Sequence, residues 1–141
     1  MENRMAYIAG PLFDEGERWW VEQVEKTVVA EGFTTFLPHR DNPVKTPETV
    51  QAIFENNRDG IKSADLIVAN LNGVTTDDGT AWELGYAAAL GTPSIGVYTD
   101  WRSRFDGEEI INLMIGCSLK RIVRSLDDLT IALTQWQEMQ Y

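Results

Sequence analysis

The sequence predicts an α/β fold: a single domain, residues 1–141, built on a doubly wound, five-stranded parallel sheet. Three observations lead there. Short apolar runs alternate with amphipathic stretches along the chain, without repeats or a low-complexity linker. One run, Leu66-Ile67-Val68-Ala69, is apolar at every position, as a strand covered on both faces requires. Helix caps and stops fall where the runs change period.

Met5 to Ala9 reads as the first strand, ended by Gly10-Pro11. Asp14 then caps a helix with Glu17 at its third position, a capping box. That helix runs through Trp19, Trp20, Val24 and Val28 to about Ala30 and stops at Gly32. Phe33 to Leu37 is the second strand, and His39 to Lys45 a loop. Thr46-Pro47-Glu48 supplies a cap, a proline at the first helical position and an acid at the positive dipole end, so the next helix starts there and ends near Ser63. Leu66 to Ala69 is the third strand. The polar stretch Asn72 to Asp78 leads into a helix from about Thr80 to Leu90, stopped by Gly91. Ser94 to Tyr98 is the fourth strand. A polar stretch, Thr99 to Glu109, and a short apolar segment, Ile110 to Ile115, precede the fifth, Arg121 to Val123. Ser125, with Asp128 three residues on, caps the last helix. Right-handed crossovers then favour a flavodoxin-like strand order 2-1-3-4-5. Ligands of such sheets sit beyond the carboxyl ends of the strands. That draws attention to Gly10–Asp14, His39–Asn42, Asn72–Asp78 and Tyr98–Arg104.

Composition narrows the partners. Twelve basic and 22 acidic residues leave a net charge of −10, which opposes nucleic-acid backbones and anionic membrane surfaces. No apolar run reaches the ~18 residues of a membrane span. Met1 to Met5 lacks the long apolar stretch of a secretory leader, and a cytoplasmic protein is expected. Cys117 and His39 are the only residues of their kinds, so neither a disulfide, a metal cluster nor a Ser-His-Asp triad is expected. His39 reads as a solvent-exposed loop residue. Gly10-Pro11-Leu12-Phe13 has neither glycine-rich phosphate-loop spacing.

The most informative stretch is Asp77 to Leu90. From Ala81 onward its only charge is Glu83, on a helix apolar nearly all round and so expected to be buried. A carboxylate there is paired, protonated or used. The helix dipole favours its ionised form, burial its neutral form. Glu83 is therefore either a nucleophile or acid–base group in the cleft, or a structural carboxylate held by a loop or an ion pair. Asp77 and Asp78 read first as caps, but three acids within seven residues also suit hydroxyl recognition. Trp82 is read as packing.

These residues resemble the nucleoside 2-deoxyribosyltransferase family. The resemblance rests on Tyr7-Ile8-Ala9-Gly10-Pro11, Gly60 to Asp65, the Asp77–Glu83 block with its Gly-Thr-Ala-Trp-Glu-Leu-Gly-Tyr-Ala run, and Ile111-Asn112-Leu113-Met114, in that order. It implies that Glu83 is the catalytic nucleophile, attacking C1′ of a 2′-deoxynucleoside, and that Tyr7 orients it. Asp77 would bind sugar hydroxyls and Phe13 would wall the base. Asn112 and Met114 would reach into a neighbouring subunit's site, within a dimer-based homo-oligomer that extends to hexamers in the family. The terminal Tyr141 resembles residues whose carboxylate enters the site. Substrates would be deoxynucleosides and free nucleobases, with no cofactor. One departure stands out: some members carry an aspartate that protonates the base, where ungapped alignment from Gly60 places Asn57. Asparagine hydrogen-bonds a base but gives it no proton. Asp59, two residues on, faces elsewhere. Two other readings compete: an N-glycosidase of (deoxy)nucleoside 5′-monophosphates sharing Glu83, and a non-catalytic nucleoside-binding domain.

Overall fold

The computed structural model describes residues 3–102 and 111–140, with 104–105 and 108–109 described in their backbone alone. Tyr141 lies outside the described residues. Five parallel strands form the sheet: β1 (Met5–Ala9), β2 (Thr34–Phe36), β3 (Leu66–Asn70), β4 (Ser94–Val97) and β7 (Arg121–Val123). Their order, β2-β1-β3-β4-β7, is the expected 2-1-3-4-5 when only sheet strands are counted. A two-stranded antiparallel ribbon, β5 (Arg104–Phe105) with β6 (Glu108–Glu109), lies in the stretch expected to be an irregular polar loop.

Strand alternation explains both layers. Ala6 and Ile8 of β1 and Leu66 and Val68 of β3 point to one face, where they meet Val21, Val24 and Val28 of α1 (Glu15–Ala30) and Leu129 and Leu133 of α6 (Leu126–Glu138). Tyr7, Ala9, Ile67 and Ala69 point to the other, against Ile61 of α3 (Val50–Ser63) and Leu84 and Ala87 of α4 (Asp78–Leu90). Each buried aliphatic side chain contributes about 1.5–3 kcal/mol. The same alternation sends Tyr7 to the face that carries Glu83.

The caps form much as expected. Asp14 accepts from the Glu17 amide at 2.7 Å, while Glu17 accepts from the amide of Phe13 at 3.0 Å, one residue before the usual partner. Ser125 accepts from Asp128 at 3.0 Å. Gly91 ends α4 in the left-handed region, at φ 77°.

Four expectations need correction. The Thr46 side chain is not the cap of α3: Thr46–Thr49 form a turn in which Thr49 Oγ1 accepts from the Thr46 amide at 2.7 Å, and the regular helix begins at Val50. His39–Lys45 is not all loop, because Pro38–Asp41 forms a single helical turn, α2, with proline at its first position. His39 is not solvent-exposed: it is mostly buried, with Nε2 2.9 Å from Glu22 Oε1 and Nδ1 enclosed without a hydrogen-bond partner. Finally, α4 is not covered all round. Thr80, Leu84 and Ala87 make its buried stripe, while Trp82, Gly85, Ala88, Ala89 and Leu90 stay exposed. A sheet covers only one side of a helix, and α3 shields just part of the rest. The short α5 (Leu113–Gly116) precedes β7.

Candidate active site

The carboxyl ends of β1, β2 and β3 open onto a cleft of about 650 Å³. Its walls include Gly10 and Phe13 after β1, His39 and Asn42 after β2, Asn57 of α3, and Asp77 and Glu83 at the start of α4. Gly10 forms a close crossing. Its φ is +157°, and a Cβ there would lie 2.9 Å from Val21 and 3.0 Å from Asn70. A second cleft of about 470 Å³, lined by Phe54, Arg58 and Trp82, reaches Glu83 and Asn57 from the other side.

Glu83 sits on the second turn of α4 with its carboxylate against the sheet. The phenol of Tyr7, itself 0% exposed and stacked on Phe36 at 5.3 Å, donates a hydrogen bond to Oε2. None of the ion pairs among the described residues involves Glu83. Burial pushes the Glu83 carboxyl up to about 7, and the charge of Asp77 adds to the rise, while the Tyr7 bond pulls it down. Burial and then the Glu83 charge hold the Tyr7 hydroxyl well above the ordinary phenol range, so it remains a donor at neutral pH. A carboxyl poised between its two states, with no cation neutralising it, suits nucleophilic work on an electrophilic carbon.

Asp77 serves first as the N-cap of α4: Oδ2 accepts from the Thr80 amide at 2.9 Å and the Thr80 hydroxyl at 3.0 Å. It lines the cleft all the same. The loop before it is clasped to the β4 end. Asn72 Oδ1 accepts from the amides of Thr99 (2.8 Å) and Asp100 (3.1 Å), and Asp100 accepts from the Gly73 amide at 3.0 Å. Arg102 beside it, with backbone bonds adding, holds the Asp100 carboxyl down at about 2.

Phe13 reaches the cleft with 74% of its surface exposed. Glu83, Tyr7, Asp77, Phe13 and Asn57 therefore converge on one region. Asn112 and Met114 do not line the clefts of their own chain. Asn112 Oδ1 caps α5 through the Met114 amide at 2.9 Å, and Met114 is 75% exposed. Reading single residues missed Asn42, Arg18 and Lys45, which share the cleft; the segment from His39 to Asn42 was marked only by its place after a strand.

A sequence profile described as nucleoside 2-deoxyribosyltransferase matches residues 6–114. The chain belongs to that family. It is thus an enzyme of the deoxyribosyltransferase superfamily, and the flavodoxin-like fold accords with membership. No curated protein matches the sequence. Among solved structures, a conserved protein from Enterococcus faecalis V583 is 26% identical, with a TM-score of 0.78 over 95% of this chain and 99% of that one. A 2-deoxyribosyltransferase from Bacillus psychrosaccharolyticus is 31% identical, with a TM-score of 0.76 over 89% and 90%. One from Leishmania mexicana is 25% identical, with a TM-score of 0.70 over 94% and 97%. Among the described residues no helix is long and apolar enough to cross a membrane, and no cluster of His, Cys, Asp and Glu could hold a metal.

Proposed function

We propose that this protein transfers 2-deoxyribose between nucleobases through a covalent intermediate on Glu83. The observation that carries the proposal is the Glu83 carboxyl itself, largely withdrawn from solvent at a cleft, held by a buried phenol and, among the described residues, unpaired with any cation. A structural carboxylate would have an ion-pair or loop partner, and among the described residues Glu83 has neither. A carboxylate oxygen attacks C1′ of the deoxynucleoside, and the electron pair of the glycosidic bond leaves with the base. The acceptor base then attacks the same C1′ through a ring nitrogen, the C1′–O bond breaks with its electron pair returning to the Glu83 carboxylate, and the acceptor's N–H proton passes to solvent. Two displacements give retention at C1′. Oxocarbenium charge in each transition state is met by the adjacent carboxylate, and Asp77 reads sugar hydroxyls.

Asn112, Met114 and Tyr141 complete a neighbour's site in this reading. The exposed Asn112–Met114 segment and the bare face of α4 support a homo-oligomer with shared sites. The proposed reaction calls for no cofactor, and we place it in the cytoplasm.

Arg18 and Lys45 in the same cleft favour a second reading, N-glycosidase action on a nucleoside 5′-monophosphate, because both could meet a phosphate. Incubation with a 2′-deoxynucleoside and a different free base separates the two. The exchanged nucleoside is expected. Cleavage of monophosphates alone would give the second reading, and binding without turnover would give a non-catalytic nucleoside-binding domain.

A further inference from the structure

The polarity of the Asn57 amide is set by a backbone carbonyl. Asn42 Nδ2 lies 2.9 Å from the Pro38 carbonyl oxygen, which can only accept, so the group there must be the Asn42 NH2. The same NH2 lies 2.7 Å from Asn57, so the Asn57 atom facing it must be the carbonyl, Oδ1. Asn42 Oδ1 in turn accepts from Asn56 Nδ2 at 3.2 Å, in keeping with that orientation. Asn57 Nδ2 is left without a hydrogen bond among the described residues. Asn57 lines both clefts, as Glu83 does.

We infer that Asn42 locks the Asn57 amide with its NH2 directed to the substrate, so that the site donates a hydrogen bond to the acceptor atom next to the glycosidic nitrogen of the leaving base. That atom is O2 in a pyrimidine and N3 in a purine. The inference rests on reading the cleft as a nucleoside site, and it assigns the base's stabilisation to a donated hydrogen bond. When the glycosidic bond breaks, its electron pair enters the base and builds negative charge on that acceptor. A hydrogen bond to a charged acceptor is about twice as strong as one to a neutral acceptor, so the Asn57 contact tightens as the bond breaks. No proton leaves Asn57. Asn42 is a positioning residue: it touches Asn57 and Pro38, and acts by forbidding the flipped amide, whose carbonyl would repel the departing base.

The test compares matched donors that differ at this one atom. 2′-Deoxyadenosine is set against 3-deaza-2′-deoxyadenosine, and 2′-deoxyuridine against its 2-thio analogue, whose sulfur accepts poorly. In the wild-type protein kcat/KM is expected to fall roughly ten- to hundredfold on removing the acceptor, mainly in kcat. In Asn57→Ala that penalty vanishes. In Asn42→Asp the introduced carboxylate cannot donate, so Asn57 turns its NH2 toward it and its carbonyl to the cleft; the penalty then vanishes or reverses. General damage would slow both donors alike and leave their ratio in place. Calorimetry on Glu83→Ala reads binding without turnover, where the acceptor-free analogues should bind roughly two- to tenfold more weakly.

A wild-type protein that treats matched donors alike in turnover and binding overturns the inference. So does a penalty that persists unchanged in Asn57→Ala and Asn42→Asp, or a failure to bind any nucleoside. Acceptor-dependent binding through Asn57 without base exchange would uphold the inference while removing the transferase reading.

Discussion

The Tyr7 hydroxyl donates to Oε2 of Glu83, joining the second position of a strand-one triplet facing α3 and α4 to the one acid of α4 beyond its first turn. The contact fixes one carboxylate oxygen and, in the proposed mechanism, leaves the other for C1′. It also opposes burial, drawing the Glu83 proton affinity back toward an ordinary carboxylate. Tyr7→Phe keeps the ring stacked on Phe36 and removes only the hydroxyl. Its acid limb in the pH profile of kcat/KM is expected to shift to higher pH. Activity at pH 7 should fall roughly ten- to hundredfold and recover in part at pH 9. An acid limb that stays in place in Tyr7→Phe would show that the bond does not tune Glu83.

The wild-type profile follows from the Glu83 value itself. With burial pushing the carboxyl up to about 7, its ionised form, the proposed nucleophile, is half-populated there, so kcat/KM should climb with pH through that value and level off above it. Rates at pH 5, 6, 7 and 8 check this. Glu83→Gln should lower exchange by roughly 10⁴-fold or more.

The same carboxyl should leave a mark on stability. Its folded proton affinity, about 7, lies above the ordinary 4.5, so between those values the native state holds a proton that the unfolded chain has released. Stability from this group is full below about pH 4.5 and is lost as pH rises through about 7. Glu83→Gln stays neutral throughout. It should therefore exceed wild type in stability at pH 8 by on the order of 2–3 kcal/mol, the gap closing toward pH 5. Denaturant titrations at those two pH values test the sign. A variant equal to or weaker than wild type at pH 8 contradicts it.

Much of this arrangement was legible in the residues. Period and caps located the strands and helices, because Leu66–Ala69 cannot alternate when both faces are covered, and because Asp14, Asp77 and Ser125 each cap through a short-range bond; the handedness of the crossovers then favoured the sheet order. Glu83 stood out as one charge in an apolar helix. What remained hidden depends on tertiary partners. The Thr46–Pro47–Glu48 signal is a sound local helix start, yet Thr49 uses its hydroxyl to close a turn first. The single turn at Pro38–Asp41 is anchored from another element, with Arg40 reaching Glu25 of α1, 15 residues away, beside two local bonds, Arg40 to the Thr35 carbonyl and Asp41 accepting from the Leu37 amide at 2.8 Å. His39 looked solvated because Glu22 lies 17 residues away on another element. The Asn42–Asn57 bond likewise joins residues 15 apart, and no local pattern announces it.

Asn72 offers a test of how the cleft loops are held. Its side chain makes three hydrogen bonds across to Thr99 and Asp100, the longest 3.1 Å. Asn72→Ala leaves two amides unpaired and frees the loop leading to Asp77. A loss of about 1–3 kcal/mol in stability is expected. A roughly tenfold fall in kcat/KM should accompany it, because Asp77 and the start of α4 lose their fixed position. Equilibrium unfolding and initial rates measure both. A loss of stability with unchanged kinetics would confine the clasp to folding.

Shared sites make a prediction that no single-chain arrangement reproduces. Asn112 and Met114 lie away from the clefts of their own chain, so in the proposed oligomer a working site combines Glu83 of one protomer with Asn112 of another. Glu83→Ala and Asn112→Ala should each be strongly impaired alone. Mixed, exchanged through mild denaturant and refolded together, they form sites in which an intact Glu83 faces an intact Asn112, while the companion site carries both lesions. Exchange activity should therefore return to a substantial fraction of wild type in the mixture and in neither parent treated alone. If Asn112 acts within its own chain, every site retains one lesion and the mixture equals the mean of its parents. Sedimentation of the wild type separates a second possibility: full activity in a species of 15.9 kDa would remove the partner's contribution altogether.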